Sequence, residues 1–201
     1  MKRLVLATHN KGKVKEIKTI LKELNIEVLS ISDIISIEDI EENADTLEGN
    51  AKIKAEYIHQ KIGGYTLADD TGLFVNALNG EPGVHTARYA GENCSEKDNR
   101  LKMLKSLENI EDRTAYFKTV LVLIDDKGKE HIVEGICEGS IAFKETGEGG
   151  FGYDKIFIPK GYTKTFAQLG LDEKNKLSHR AKALDKLKIL LVDVLNESSY
   201  N

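Results

Sequence analysis

The apolar positions of this chain change period several times, and each change marks an element boundary. Leu4-Val5-Leu6-Ala7 is a short continuous apolar run, as in a buried strand. After Gly12, Val14, Ile17, Leu21 and Leu24 recur at helical spacing. Ile26 to Leu29 predicts a second strand, and the acidic stretch Glu38 to Asp45 a polar connection. A second helix follows, with Ala51, Ala55, Ile58 and Ile62 on one face and Gly63-Gly64 at its end. Tyr65 to Ala68 reads as a strand that ends on Asp69-Asp70-Thr71-Gly72, with extended structure resuming over Leu73 to Leu78 before a turn at Asn79-Gly80.

Farther along, Ser95 and Asp98 have the spacing of a capping box for a helix with the stripe Leu101, Leu104 and Leu107. Tyr116 to Ile124 and His131 to Ile141 predict a long hairpin around the turn Asp125 to Lys129. The Gly-rich segment 147–152 is a loop, and Ile156 to Ile158 one more strand. From Ser178 onward, Ala181, Leu184, Leu187, Leu191 and Val194 stripe a terminal helix. βα units combined with an antiparallel hairpin predict an α/β (mixed α+β) fold, a central mixed sheet flanked by helices.

Composition narrows the function more than the fold. With 201 residues, 40% apolar and 31% charged, the chain is long enough for one sizeable core or two lobes and too apolar for disorder. A formal charge of -4 argues against a duplex-binding surface, so the expected anionic ligand is small and nucleic acid is not an expected partner. Cys94 and Cys137 are far apart, which fits neither a disulfide framework nor a structural zinc site. The first apolar run is too short for a signal peptide, and no run approaches the ~20 residues needed to cross a bilayer. A cytoplasmic location without a membrane is the expectation.

Four segments carry candidate chemistry. Thr8-His9-Asn10-Lys11-Gly12-Lys13 lies between a strand end and a helix start, where backbone N–H groups and the helix dipole attract anions. Its hydroxyl, amide and lysines could hold a triphosphate, and equally the segment could be a capped turn with solvated lysines; it is not a Walker loop. Asp69 and Asp70, with Thr71 and the pair Glu41-Glu42, offer carboxylates of the kind magnesium shares with water and phosphate; an exposed turn is the plainer reading. Gly149-Gly150-Phe151-Gly152-Tyr153-Asp154 sets two aromatics among glycines before a carboxylate, suited to a flat purine and equally to a structural turn. Lys174 and Ser178-His179-Arg180 put cationic groups at a helix start, against the dipole, which fits a group facing something electron-rich and equally a Ser178-capped helix with a solvated basic first turn.

Together these segments, with Ala87-Arg88-Tyr89, make the chain resemble the noncanonical purine nucleoside triphosphate pyrophosphatases (inosine/xanthosine triphosphatases) over essentially its whole length. The resemblance implies a single domain over residues 1–201, two-lobed with a nucleotide cleft between the lobes, and a homodimer. It implies that ITP, dITP or XTP is hydrolysed to monophosphate and pyrophosphate with Mg2+ as cofactor, which cleanses the nucleotide pool. Thr8, His9, Asn10, Lys11, Gly12 and Lys13 would hold the triphosphate, with Thr71 and Lys174 as further contacts. Phe151, Gly152, Tyr153, Asp154, His179 and Arg180 would surround the purine and sugar. Asp70 would be the general base and a magnesium ligand, with Glu41, preferred over Glu42, completing the metal site. His9 stands where relatives often have glycine and Thr71 where serine is common. Rival readings are a pyrophosphatase for modified pyrimidine nucleotides, a nucleotide sensor without hydrolysis, and a single-strand binder stacking bases on Phe151 and Tyr153.

Overall fold

The computed structural model describes residues 2–37 and 40–197. In chain order its main elements are β1 (Lys2–Leu6), α1 (Lys11–Leu21), β2 (Ile26–Ser30), α2 (Leu47–Ile62), β3 (Tyr65–Val75), β4 (Pro82–Gly83), α3 (Glu96–Ser106), β5 (Thr114–Ile124), β6 (Glu130–Ile141), β7 (Phe157–Pro159), α4 (Phe166–Leu169), α5 (Leu171–Leu177) and α6 (His179–Glu197). Among the described residues the strands form a mixed sheet in the order β2-β1-β3-β5-β6-β7, with β4 on β3. β1 runs parallel to both β2 and β3, with Leu4 opposite Val28 and Tyr65, whereas β4 and β7 pair antiparallel. The predicted mixed α/β architecture is therefore the observed one. No helix among the described residues is long and apolar enough to cross a membrane.

The chain divides into two compact units. One comprises the chain up to Asp70, Thr119–Gly135 and the chain from Arg180 onward; the other comprises Thr71–Lys118 and Ile136–His179. The core of the first is Leu4, Leu6, Ile17, Ile20, Leu21, Leu67, Leu121 and Leu123 with the α6 stripe Ala181, Leu184, Leu187, Leu191 and Val194. That stripe is the one its spacing predicts. The core of the second gathers Leu73, Val75, Met103, Leu107, Phe117, Ile141, Tyr153, Phe157 and Phe166, in which Phe117 meets Phe157 edge-on at 4.6 Å.

Three sequence expectations change. β3 is one continuous strand of 11 residues, so Asp69 and Asp70 lie in its interior rather than at a strand end. α3 begins at the predicted capping box, Ser95 Oγ accepting from Asp98 N at 3.1 Å and Asp98 Oδ2 from Ser95 N at 2.8 Å. Of the predicted stripe, Leu107 lies in the core and Leu104 packs against it, but Leu101 is 48% exposed, and the residues the helix itself buries are Asn99, Arg100 and Met103. Polar anchoring turns the helix: Asn99 Oδ1 accepts from Ala90 N at 2.8 Å, and Asn99 Nδ2 donates to the Ala87 carbonyl at 3.0 Å. Two satisfied hydrogen bonds at a buried amide outweigh the burial of one leucine. Cysteines that fit neither a disulfide framework nor a zinc site are expected in the interior; Cys137 is buried there, but Cys94 is only half-buried. Of the acidic stretch Glu38 to Asp45, Glu38 and Asp39 lie outside the described residues.

Candidate functional site

The first candidate segment folds as a self-capped helix start. Asn10 is the N-cap of α1, its Oδ1 accepting from Gly12 N at 2.9 Å and Lys13 N at 3.2 Å, and Thr8 Oγ1 accepts from Asn10 N at 3.1 Å. An N-cap satisfies amides that a helix leaves open. These three N–H groups, expected to be free for an anion, are thus occupied by neighbouring side chains. An anion here would meet the side-chain Nδ2 of Asn10, the Thr8 hydroxyl hydrogen and the exposed Lys11. His9 turns to Ser32, with Nδ1 2.7 Å from Ser32 Oγ.

Lys13 reaches from α1 to β3, where its Nζ lies 2.6 Å from Asp69 Oδ1. Asp69 Oδ2 accepts from Arg180 Nε at 2.7 Å, and Arg180 Nη1 donates to Glu16. Asp69, Glu16 and Arg180 are all buried. Burial alone would raise the Asp69 carboxyl, but the Arg180 guanidinium and the Lys13 ammonium outweigh it and hold it well below the usual carboxylate range. Burial works against the charge on Arg180 too, and Asp69 and Glu16 more than restore it. The guanidinium expected at the purine is therefore bound to two carboxylates. Glu16 carried a readable signal: it is a charge one turn from Lys13 and from the buried Ile20, on the apolar side of α1.

Consecutive side chains of a strand alternate faces, and Asp70 meets a different environment from Asp69. Its carboxyl is buried, and Oδ2 has no hydrogen-bond donor. Oδ1 lies 3.8 Å from Lys54 Nζ, and that ammonium bonds Glu42 Oε1 at 2.5 Å and the Asp69 carbonyl at 2.8 Å. Burial pushes the Asp70 carboxyl up to about 6; Lys54 and Lys13 pull it back only partly, while Glu42 and Asp69 add to the rise. Lys54 is brought in by α2, which Thr46 caps through Gly49 N at 3.0 Å. No motif signalled it, because a lysine on an amphipathic helix looks like any solvated one. Glu42 thus stands with Asp70 around Lys54, whereas Glu41, the glutamate preferred from the sequence, is exposed.

This carboxylate pair suits a hard divalent cation, which takes oxygen ligands and keeps water and phosphate in its remaining positions. The buried Asp70 oxygen without a donor is the kind of group such an ion satisfies. Among the described residues no three His, Cys, Asp or Glu side chains converge on one point, so phosphate and water would have to complete the coordination shell.

In the second unit the Gly-rich loop converges on Asp154. Its buried carboxylate accepts from Phe151 N at 3.1 Å and from Lys174 Nζ at 2.7 Å, and that ammonium sits 4.5 Å from the Phe151 ring centroid. Phe151 keeps part of its surface in solvent; Tyr153 does not. The Tyr153 hydroxyl donates to the Thr86 carbonyl at 2.7 Å inside the core, and burial pushes its pKa up. Of the two aromatics expected to stack on a base, Phe151 is thus the accessible one. His179 is buried and stacks on Phe117 at 4.5 Å. Thr71 is half-buried directly after Asp70, and Gly152 adopts a φ of +58°. The Ala87-Arg88-Tyr89 segment is fastened to α3 by Asn99 and by Lys102, whose Nζ donates to the Tyr89 carbonyl at 2.6 Å.

Comparison with known proteins places this arrangement. The Ham1 family model matches residues 4–190. The chain belongs to the Ham1 family. It is 52% identical to the dITP/XTP pyrophosphatase of Flavobacterium johnsoniae, over 94% of this chain and 97% of that protein. It is 49% identical to the dITP/XTP pyrophosphatase of Caldanaerobacter subterraneus, over 98% of this chain and 100% of that one. Among solved structures it resembles a HAM1 protein from Coxiella burnetii, with a TM-score of 0.86 and 38% identity over 96% of this chain and 100% of that chain. The resemblance read from five ordered segments is thus borne out, and the mixed sheet is that of the Ham1 proteins.

Proposed function

We propose that this Ham1-family chain hydrolyses noncanonical purine nucleoside triphosphates, of the ITP, dITP and XTP type, to the monophosphate and pyrophosphate, and so removes them from the nucleotide pool. The observation that carries the reading is the contrast within Asp69-Asp70. One carboxylate is locked in a buried ion network; its neighbour keeps an oxygen without a donor beside Glu42 and Lys54. The names of relatives near 50% identity support the substrate class.

In this reading Asp70 accepts the proton of a water that attacks the α-phosphorus, and pyrophosphate departs. Burial makes its carboxylate a stronger base than an ordinary one. Asp70 and Glu42 would hold Mg2+, which when bound neutralises charge on the phosphate oxygens. Lys11, Lys13, Thr8 and Asn10 bind the triphosphate. Lys54 holds Glu42 and Asp70 in place, and Asp69 and Arg180 fix Lys13. Phe151 offers its ring to the purine, with Lys174 and Asp154 fixing the ring; Gly152, Thr71 and His179 are further substrate contacts in this proposal. A single domain over residues 1–201 is part of the same proposal. A cytoplasmic homodimer is the accompanying proposal.

The test is a panel of ITP, dITP, XTP, ATP, GTP and a modified pyrimidine triphosphate, with pyrophosphate release measured with and without Mg2+. Preference for the first three by at least about tenfold, lost without the metal, is expected. Equal rates on ATP, GTP and ITP would falsify the substrate assignment.

A further inference from the structure

The Gly-rich loop is fastened by a residue distant in sequence. Arg100, buried on α3, donates from Nε to Glu145 Oε1 and from Nη1 to the Gly152 carbonyl at 2.8 Å. Its two acceptors stand at either end of the segment that carries Gly147, Gly149, Gly150 and Phe151. Asp154 holds the middle through Phe151 N, and a Cβ on Gly150 would lie 2.3 Å from the Asp154 carboxylate. One guanidinium therefore clamps both ends of a loop whose interior rests against a buried ion pair.

The choice of arginine has a physical basis. A guanidinium presents several N–H donors in a rigid plane and can serve two acceptors at once, whereas an ammonium on a flexible stem holds one geometry poorly. Glycine backbone has the most freedom to lose on ordering, and Gly150 and Gly152 both occupy positive φ, +77° and +58°. A loop ordered before it meets its ligand does not lose that freedom again on binding.

We propose that Arg100 is a positioning residue for base recognition: without touching substrate, it presets the loop that presents Phe151 and so sets the affinity for the purine and the discrimination among purines. The inference rests on the proposed function, in which Phe151 meets the base. The Glu145 carboxylate shares the role as the second anchor of the clamp.

The chain contains no tryptophan, so Phe151→Trp installs a single fluorescent reporter in the loop, readable without turnover. In that background Arg100→Ala is expected to move the emission to longer wavelength and lower its anisotropy, with Arg100→Lys restoring part of the change. In the parent chain Arg100→Ala should raise KM for ITP about tenfold and narrow the ITP-to-ATP preference, with kcat within about twofold. Glu145→Gln, at a partly exposed position, should move both readouts the same way by a smaller factor, and it carries the test if Arg100→Ala does not fold. If Phe151→Ala raises KM for ITP while Arg100→Ala or Glu145→Gln leaves KM and the reporter unchanged, the positioning role alone is overturned. A fall in kcat at constant KM overturns it as well. If Phe151→Ala leaves KM for ITP unchanged, the base-site reading falls and takes the selectivity role with it.

Discussion

Asp69 and Asp70 are neighbours in one strand, chemically identical and both buried, yet they occupy opposite electrostatic situations. Asp69 receives Arg180 and Lys13 directly, and its charge is favoured more strongly than in water. Asp70 has one ammonium at 3.8 Å, already shared with Glu42, and an oxygen that no donor reaches. A satisfied buried charge fixes structure; an unsatisfied one costs stability and is kept where a ligand, metal or proton completes it. The alternation of a β-strand is what allows two adjacent aspartates to take these separate roles.

The comparison can be broken most directly at Asp70. Asp70→Asn should lower kcat for ITP by about a thousandfold or more. Its melting temperature should be no lower than that of the parent, because the oxygen it alters makes no hydrogen bond. Near-normal turnover would remove the general-base role, and a large loss of stability would erase the contrast with Asp69. Arg180→Ala should do the reverse for the fold, costing about 3–5 kcal/mol in urea unfolding because it takes the shared guanidinium from two buried carboxylates, Asp69 and Glu16. A loss below about 1 kcal/mol would show that the network is not structural.

A finer test separates the two glutamates. Glu42→Gln should raise the Mg2+ concentration for half-maximal rate by about tenfold, while Glu41→Gln changes it less than about twofold. The opposite order would return the metal site to Glu41.

The smallest expected effect lies at a structural carboxylate outside the site. Asp125 caps the β5–β6 turn, accepting from Lys127 N and Lys129 N at 2.9 Å each and from His131 Nε2 at 2.9 Å. Burial would raise its pKa, but the His131, Lys129 and Lys127 hydrogen bonds hold it below the ordinary value of 3.8. A lowered folded pKa contributes stability that is full above the ordinary value and is lost as pH falls through the folded one. Asp125→Ala should therefore cost about 1 kcal/mol near neutral pH, with the difference shrinking only below 3.8. A penalty that grows on acidification would contradict this.

Much of the molecule was legible in its sequence because short-range physics sets it. The α6 stripe, the long hairpin, the Ser95–Asp98 capping box and the glycine end of α2 all follow from period, cap and turn chemistry. In α3 the stripe holds at Leu104 and Leu107 but not at Leu101, because Asn99 makes its hydrogen bonds to a segment about ten residues away, which local spacing cannot anticipate.

For the site, the sequence by itself determined which residue types stand where: the cap and lysines of Thr8–Lys13, the paired aspartates, the Phe151 loop, and the family to which they belong. Only the tertiary structure decided how those groups are spent. It buried Tyr153 with its hydroxyl on Thr86, bound Arg180 to Asp69 and Glu16, set Glu42 rather than Glu41 beside Lys54, and brought Arg100 to both ends of the Gly-rich loop. The physical reason is common to all four. A charge or hydroxyl acquires its role from the partner that desolvation obliges it to find, and these partners lie from about ten to more than a hundred residues away along the chain.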